Sequence, residues 1–558
     1  MALLSHTQIF NYEIYFTVQS IYIEMNQNKL LYEWFEHSAI KYPNHTALQF
    51  GSKCFSYKEI NNHANILSQL IREHDPNKTS KLGGIVCHRS VEAYIGMLGL
   101  LKANKGYVPF NKNFPDSRNQ MILNQSKVRI LIVDNNSQSL AEKLLEDQYL
   151  SMLVVMLNFK NIPIWTKRLN QHVFVTNTKT NFDQVKKKTK KSLNNIAYLL
   201  FTSGTTGMAK GVKISHKNVS SFITEFNKNY SFTNEDKVFH SSDLTFDWSI
   251  PEIWVAWSSG ACVCVVPEFE RMAPVNYAVK NKITIWFSVP STIRVMKKLR
   301  LLVKDKLSLI KISFFCGEAL LGSDVLNWKI CASKSQIINM YGPTETTVSV
   351  TAYDCNFDDV ETHLVNNIVP IGKAFGSQIV GLFDNELNPV ANGEIGEILI
   401  SGEQVSPGYL NNYQLSNEKF VILKWKNTNN RWYRTGDLGM YSNHKLHFVG
   451  RKDDQVQVMG YRVELSEIEA LIGKITESTS AVAVGWPMID EQVSGIIVFV
   501  VTEKIIDEEK IIKKCSKELP PYMVPKEIHS LSGMPLNSSG KIDRNKLIEI
   551  RRSFDTNE

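Results

Sequence analysis

The apolar run Ile196–Phe201 stops abruptly at Thr202-Ser203-Gly204-Thr205-Thr206-Gly207-Met208-Ala209-Lys210-Gly211, a loop of hydroxyls and glycines closed by one lysine. Such a run reads as a buried strand, and the loop at its end has the composition of a phosphate-holding loop. The glycines let the backbone turn tightly, while Ser203, Thr205 and Thr206 offer hydroxyl and amide donors and Lys210 adds positive charge. A Walker loop would need Gly-Lys followed by Ser or Thr, but Ala209 precedes Lys210 and Gly211 follows it, so that reading fails on spacing. A solvated Ser/Thr/Gly turn is the plain alternative.

Further apolar runs at 84–87, 129–133, 152–157, 262–266, 283–287 and 311–315 alternate with amphipathic stretches, the pattern of parallel strands covered by helices. The fold class expected is α/β: a large layered N-terminal domain over 25–450, completed by shorter strands at 376–383, 394–402 and 445–449 that form a small β-rich unit. Helices are expected from Leu30 to before Pro43, and from Phe55 onward. Beyond Gly450 the pattern changes to helix, two strands and helix, which predicts a separate, mobile α+β C-terminal domain over 451–558. Residues 1–24 form an N-terminal extension without the features of a secretory signal, and Met25 is the better-looking start.

At 558 residues and 43% apolar content the chain exceeds what one core usually supports. It has no run of 18 apolar residues, which argues against a membrane span. Eight cysteines without paired, zinc-like spacing fit reduced thiols in a cytoplasmic enzyme and predict no structural disulfide. The formal charge of +8 is densest at Lys186-Lys187-Lys188-Thr189-Lys190-Lys191; with no aromatic-interleaved basic motif, this reads as a solvated run or an acidic-partner surface, not a nucleic-acid site.

The signature loop is joined, in order, by Asn339-Met340-Tyr341-Gly342-Pro343-Thr344-Glu345-Thr346-Thr347, Tyr433-Arg434-Thr435-Gly436-Asp437, Gly450-Arg451-Lys452-Asp453-Asp454-Gln455 and Asn537-Ser538-Ser539-Gly540-Lys541-Ile542-Asp543-Arg544. With these motifs, over roughly residues 30 to 550, the chain resembles the adenylate-forming superfamily, which includes acyl-CoA synthetases, luciferases and the amino-acid-adenylating domains of nonribosomal peptide synthetases. Ala209 stands where that family usually has proline, which removes no phosphate ligand.

The resemblance implies ATP and Mg2+ as cofactors and assigns roles. A carboxylate attacking the α-phosphorus needs positive charge, a metal and orientation; it needs no general base, because it is already ionised. Glu345 would hold magnesium, Thr344 would bond the α-phosphate, Tyr341 would lie against adenine and Asn339 would contact its edge. Asp437 would accept the ribose hydroxyls, Arg451 would donate to ribose or phosphate, and Thr202, Ser203, Gly204, Thr205, Thr206 and Lys210 would hold phosphates. For Asp437 and Arg451 an ordinary loop salt bridge is the competing reading. Lys541 would bridge the substrate carboxylate and a phosphate, and Asp453 would be the hinge about which the small domain swings. Gln457 and Met459 stand where peptide-synthetase domains usually carry Lys and Arg.

Phe246-Asp247-Trp248-Ser249 resembles the segment of amino-acid-specific members, whose aspartate pairs with the substrate α-ammonium; an Asp capping a helix through Trp254 is the structural alternative. The pocket positions carried over are Asp247, Trp248, Pro251, Phe287, Phe314, Cys316, Met340, Val348, Ser349 and Lys541, and their bulk implies a small amino acid. Phe315-Cys316-Gly317-Glu318 resembles the segment of D-alanine:carrier-protein ligases, where the cysteine packs beside the alanine methyl. No phosphopantetheine attachment segment is found, so the expected acceptor is a separate phosphopantetheinylated carrier protein. The alternatives are an acyl- or aryl-CoA synthetase and a non-catalytic adenylate-binding homologue.

Overall fold

The computed structural model describes residues 29–176, 192–204, 209–355, 363–425, 428–478, 480–489, 492–502, 506–536 and 542–555. The extension 1–24, the lysine run 186–191, Thr205, Thr206 and Lys541 lie outside them.

Two large sheets build the N-terminal part. One, of eight strands, runs Gly408–Tyr409, Lys210–Ser215, Ile196–Thr202, Gly106–Pro109, Leu82–Val86, Ile130–Val133, Leu153–Met156, Val173–Thr176. The other, of nine, runs Lys373–Ala374, Thr351–Asp354, Gln336–Tyr341, Ile312–Phe315, Ile285–Ser288, Lys237–His240, Cys262–Val265, Thr46–Phe50, Lys53–Ser56. The signature strand pairs in parallel with Gly106–Pro109 on one side, while on the other the chain folds straight back as the antiparallel strand Lys210–Ser215, so the loop sits at a hairpin end. Ser215 and Asn218 then form a capping box that starts the helix His216–Asn229. That helix sends Val219, Phe222, Ile223 and Phe226 into the core shared with Tyr107, Tyr198, Trp254 and Trp257.

The second expected helix begins at Tyr57 instead of Phe55. Ser56 has extended backbone, its hydroxyl accepts from Glu59 N at 3.2 Å, and the Glu59 carboxylate accepts from Ser56 N at 2.7 Å; the cap therefore leaves Phe55 in a strand. A five-stranded unit of Ile379–Phe383, Ile395–Ser401, Phe420–Trp425, Thr428–Ser442 and Lys445–Arg451 comes next, and its 15-residue strand Thr428–Ser442 is one that no apolar run marks in the sequence. Asp437, for which a loop salt bridge was the competing reading, therefore lies within a sheet.

After a bend at 452–454 the chain forms two small sheets, containing Gln455–Val458 with Tyr461–Glu464, and Ala481–Gly485 with Ile496–Val501 and Glu527–Leu531. Their apolar faces are covered by Leu465–Thr476, Glu508–Cys515 and Arg544–Asp555 and make clusters of their own. The architecture is thus α/β with a large N-terminal and a smaller C-terminal domain. Among the described residues, no helix is long and apolar enough to cross a membrane, and the eight cysteines are free.

Candidate active site

A cleft of about 100 Å³ opens where the strand Gln336–Tyr341 ends. Gly342 lets the chain turn there, because a Cβ would lie 2.5 Å from Ser349 Cα. Thr344–Thr346 make one 3₁₀ turn, after which Thr347 and Val348 take φ of 60° and 72°. For a β-branched residue that conformation is strained, and the buried Gln404 side chain holds it by donating to the carbonyls of Thr346, Thr347 and Ser349 at 3.3, 3.2 and 2.8 Å. The turn aims Thr344 and Glu345 inward. Glu345 is buried; its Oε1 accepts from the Tyr409 hydroxyl at 2.8 Å, and its Oε2 lies 3.9 Å from the Arg462 guanidinium. Burial alone would raise its pKa, but Arg462 and Lys210 hold it below the ordinary value.

One wall belongs to the five-stranded unit. Asp437 and Arg451 are directly opposed in the ladder and form an ion pair, and Asp437 Oδ2 accepts from the Tyr341 hydroxyl at 2.6 Å. Asp453 grips the other edge of the Arg451 guanidinium at 2.6 and 2.7 Å, the bidentate geometry that favours Arg over Lys. Asn339 is buried and donates to Pro370 O at 2.9 Å.

Asp247, Trp248, Cys316, Met340 and Val348 also line the cleft. Burial pushes the Asp247 carboxyl up to about 7, with a hydrogen bond from Thr344 pulling against it, and burial beside Asp247 raises the Cys316 thiol. Pro251, Phe287, Phe314 and Ser349, expected in the pocket from sequence, are not among the residues that line the cleft. Phe287 and Phe314 are cross-strand partners whose side chains share one face, and they stack at 4.8 Å under the edge of Trp248. Pro251 sits in the π-helical turn 251–255, and the Ser349 hydroxyl meets the Met340 sulfur at 3.9 Å. These residues support the pocket from behind.

The described residues of the signature loop do not line the cleft. Ser203, Gly204 and Lys210 are engaged by the segment Arg462–Glu467 of the C-terminal domain: Ser203 Oγ donates to Arg462 O at 2.7 Å and accepts from Glu464 N at 3.2 Å. Thr202 ends the strand beside them with its hydroxyl buried and unpartnered. Gln455, Val456, Gln457, Gly460 and Arg462 complete the cleft on that side. Sequence reasoning missed Arg462, Tyr409 and Gln404. Arg462, two residues beyond Gly460, was the legible one; the other two are polar residues in loops and at a strand end, unmarked by any pattern.

Among the described residues no cluster of three or more His, Cys, Asp or Glu could hold a metal. Glu345 nevertheless fits magnesium, which commonly takes one or two carboxylates and completes its shell with water and substrate phosphate. The buried carboxylate is kept ionised and turns one oxygen toward a cation.

Comparison with known proteins agrees with this geometry. Residues 35–410 match the family model for AMP-binding enzyme, and residues 467–541 match the AMP-binding enzyme C-terminal domain. Zwittermicin A synthase ZmaJ of Bacillus cereus is 32% identical over 92% of this chain and 93% of its own. Tyrocidine synthase 1 of Brevibacillus parabrevis is 29% identical over 94% of this chain, which spans only 45% of that protein. The crystal structure of the Vibrio cholerae adenylation domain AlmE in complex with glycyl-adenosine-5'-phosphate has a TM-score of 0.85 at 28% identity, covering 94% of this chain and 98% of that one.

Proposed function

Since the chain belongs to the AMP-binding enzyme family, as an adenylating ligase of the kind found in nonribosomal peptide synthetases, we propose that it activates a small amino acid, glycine or alanine foremost, and passes it to the phosphopantetheine thiol of a separate carrier protein. The observation that carries the reading is Asp247: a carboxyl with burial against it, in a cleft of about 100 Å³ that Asp437, Arg451 and Tyr341 also line. A substrate ammonium there would offset the cost of the buried charge, and acyl or aryl acids have none to offer. Trp248, Met340 and Cys316, backed by the Phe287–Phe314 stack, leave little room for a side chain. The glycyl adenylate carried by AlmE supports the same substrate size.

In this reading Asp247 fixes the ammonium and the substrate carboxylate attacks the α-phosphorus, forming a C–O–P linkage as the bond to pyrophosphate breaks. Thr344 and Lys541 stabilise the charge on the carboxylate and α-phosphate, and the loop residues Ser203 to Thr206 with Lys210 hold the departing phosphates. Asp437 turns from Tyr341 and Arg451 to the ribose hydroxyls, while Tyr341 and Asn339 face adenine. Magnesium, when bound at Glu345, would neutralise phosphate charge. The thiolate then attacks the acyl carbon and AMP leaves, with the small domain, bounded at 450/451, turning about Asp453.

ATP–pyrophosphate exchange across all amino acids and their enantiomers tests the proposal. Exchange with glycine, alanine or serine is expected. Exchange confined to fatty or benzoic acids would assign an acyl- or aryl-CoA synthetase instead, and none with any acid would indicate a homologue without turnover.

A further inference from the structure

Between Lys297 and Lys306 the chain reads Lys-Lys-Leu-Arg-Leu-Leu-Val-Lys-Asp-Lys, five cations and one acid with aliphatic residues among them. The run closes the helix Ser291–Lys298 and leads toward the strand Ile312–Phe315. That helix and the next, Gly322–Cys331, follow the strands Ile285–Ser288 and Ile312–Phe315, which run parallel to Gln336–Tyr341; both helices therefore finish at the edge of the sheet opposite the cleft. Backbone bonds tie the run to both helix ends: Leu301 N donates to Met296 O at 2.9 Å, Asp305 N to Ile330 O at 3.0 Å and Leu307 N to Cys331 O at 2.9 Å. Met296, Leu307 and Trp328 face the core, which leaves Leu299, Val303, Leu309 and Ile330 at this edge 46, 52, 55 and 51% exposed. Exposed aliphatics scattered singly are ordinary, but these are gathered among cations. Lys297, Lys298, Arg300 and Lys304 are exposed with them, Lys306 meets the neutral Asn276 amide oxygen at 3.0 Å, and the one acid, Asp305, is turned to the Ser333 hydroxyl.

We propose that this edge is a docking surface for an anionic lipid bilayer. The lysine and arginine head groups meet lipid phosphates, while Leu299, Val303, Leu309 and Ile330 enter the boundary between head groups and acyl chains. A second copy of the chain fits worse, because a twofold contact would bring the five cations of one copy against those of the other. A protein partner also fits worse. Lysine is depleted at protein interfaces, whose anchors are mostly aromatic residues and arginine, whereas here the exposed apolar side chains are all aliphatic and the cations mostly lysine. A bilayer needs neither pocket nor register, only positive charge and hydrocarbon on one surface. Docked this way, the protein holds its cleft, at the other end of the same strands, away from the bilayer and open to solution.

Flotation of the whole protein with vesicles of phosphatidylcholine and phosphatidylglycerol, against vesicles of phosphatidylcholine alone, tests this without any substrate. Wild type should partition onto the anionic vesicles, come off as salt rises, and leave the neutral vesicles bare. The lysine run 186–191 could attract lipid by itself, so variants locate the contact. Lys298→Gln with Lys304→Gln should weaken partitioning about tenfold or more, at roughly fivefold per surface cation. Lys53→Gln with Lys58→Gln removes equal charge at and beside the strand Lys53–Ser56, five strands across the same sheet from Ile312–Phe315, and should leave partitioning nearly unchanged. Leu299→Ser with Val303→Ser keeps every charge and should still lower it several-fold. Equal losses from the two lysine pairs, no loss from the serine pair, equal binding to both vesicle types or binding to neither would each overturn the proposal. Retention on immobilised polyglutamate without vesicle binding would assign the edge to an acidic protein instead, and a concentration-dependent dimer abolished by Leu299→Ser would assign it to a second copy. These substitutions leave Met296, Leu307 and Trp328 in the core, so wild-type urea midpoints are expected; the comparison of the two vesicle types stands without any variant.

Discussion

In the proposed reaction Asp247 is ionised where water is nearly excluded, and its raised pKa reflects that conflict. Burial raises the carboxyl to about 7, against roughly 3.9 in an unfolded chain. The folded state therefore binds the proton more tightly than the unfolded one. Any stability this carboxyl contributes is fully present below about pH 4 and is lost as pH rises through about 7. Asp247→Asn should flatten this fall, so that the variant gains on wild type between pH 4 and 7 in urea denaturation at fixed pH. For substrate, the sign reverses, because only the carboxylate pairs with an ammonium. The amino-acid KM of wild type should fall as pH rises, approaching tenfold per unit well below 7, and level off above it; a KM flat from pH 6 to 8 would deny Asp247 this role. Beside it Met340 limits volume. Met340→Ala should raise kcat/KM for valine relative to glycine by about ten- to hundredfold in the exchange assay, at the usual 1–3 kcal/mol per methylene.

The turn after Gln336–Tyr341 stores strain at Thr347 and Val348, and the side-chain amide of Gln404 resists it together with the bond from the Thr347 hydroxyl to Gln404 O at 2.6 Å. Replacing Gln404 with Leu removes a donor from three carbonyls and leaves those of Thr346 and Ser349 stranded, since Thr347 O still accepts from Ser349 N at 3.0 Å. The expected cost is about 1–3 kcal/mol of stability, with a larger loss in kcat than in substrate affinity, since Thr344 and Glu345 lose their aim. Chemical denaturation beside exchange kinetics separates the two effects. The paired strands carrying Asp437 and Arg451 make a complementary case. Asp437→Asn keeps the ladder but removes the charge that Arg451 and, in the proposed reaction, the ribose both use. The KM for ATP should rise at least several-fold while the KM for amino acid changes little; equal rises in both would place Asp437 outside the nucleotide site.

At the level of the molecule, the C-terminal domain has its own core, in which Ile468, Val498 and Ile528 are sealed among residues 456–528. Its contacts with the N-terminal part include the ion pairs Arg118–Glu467 and Lys210–Glu464 and the ring contacts Phe114–Tyr522 and Phe246–Tyr461. A cavity in the small core should therefore be felt locally. Ile468→Ala is expected to cost about 2–5 kcal/mol and to lower the exchange protection of 456–531 while leaving the strands 196–202 and 336–341 protected. Loss spread evenly over both parts would show that the two cores unfold as one.

Sequence alone determined the elements whose cause is local. Apolar runs bounded by turn residues marked seven strands of the two large sheets to within a few residues, though not Lys237–His240 or Gln336–Tyr341, and the change of pattern after Gly450 marked a second domain. The motifs were legible for the same reason: Thr344, Tyr341 and Asp437, which line the cleft, and the buried Glu345 sit in short strings whose glycines, prolines and charges are chemically unusual. The remainder depended on pairing at a distance. The stacking of Phe287 on Phe314 behind the pocket is set by the register of two strands, and Gln404 reaches the strained turn from more than fifty residues away. Glu464 and Glu467 meet Lys210 and Gly204 only because the small domain docks there. A sequence states which groups can bond, but when several cations and carboxylates are compatible, the partner is chosen by which surfaces are buried together. Tertiary packing made that choice here.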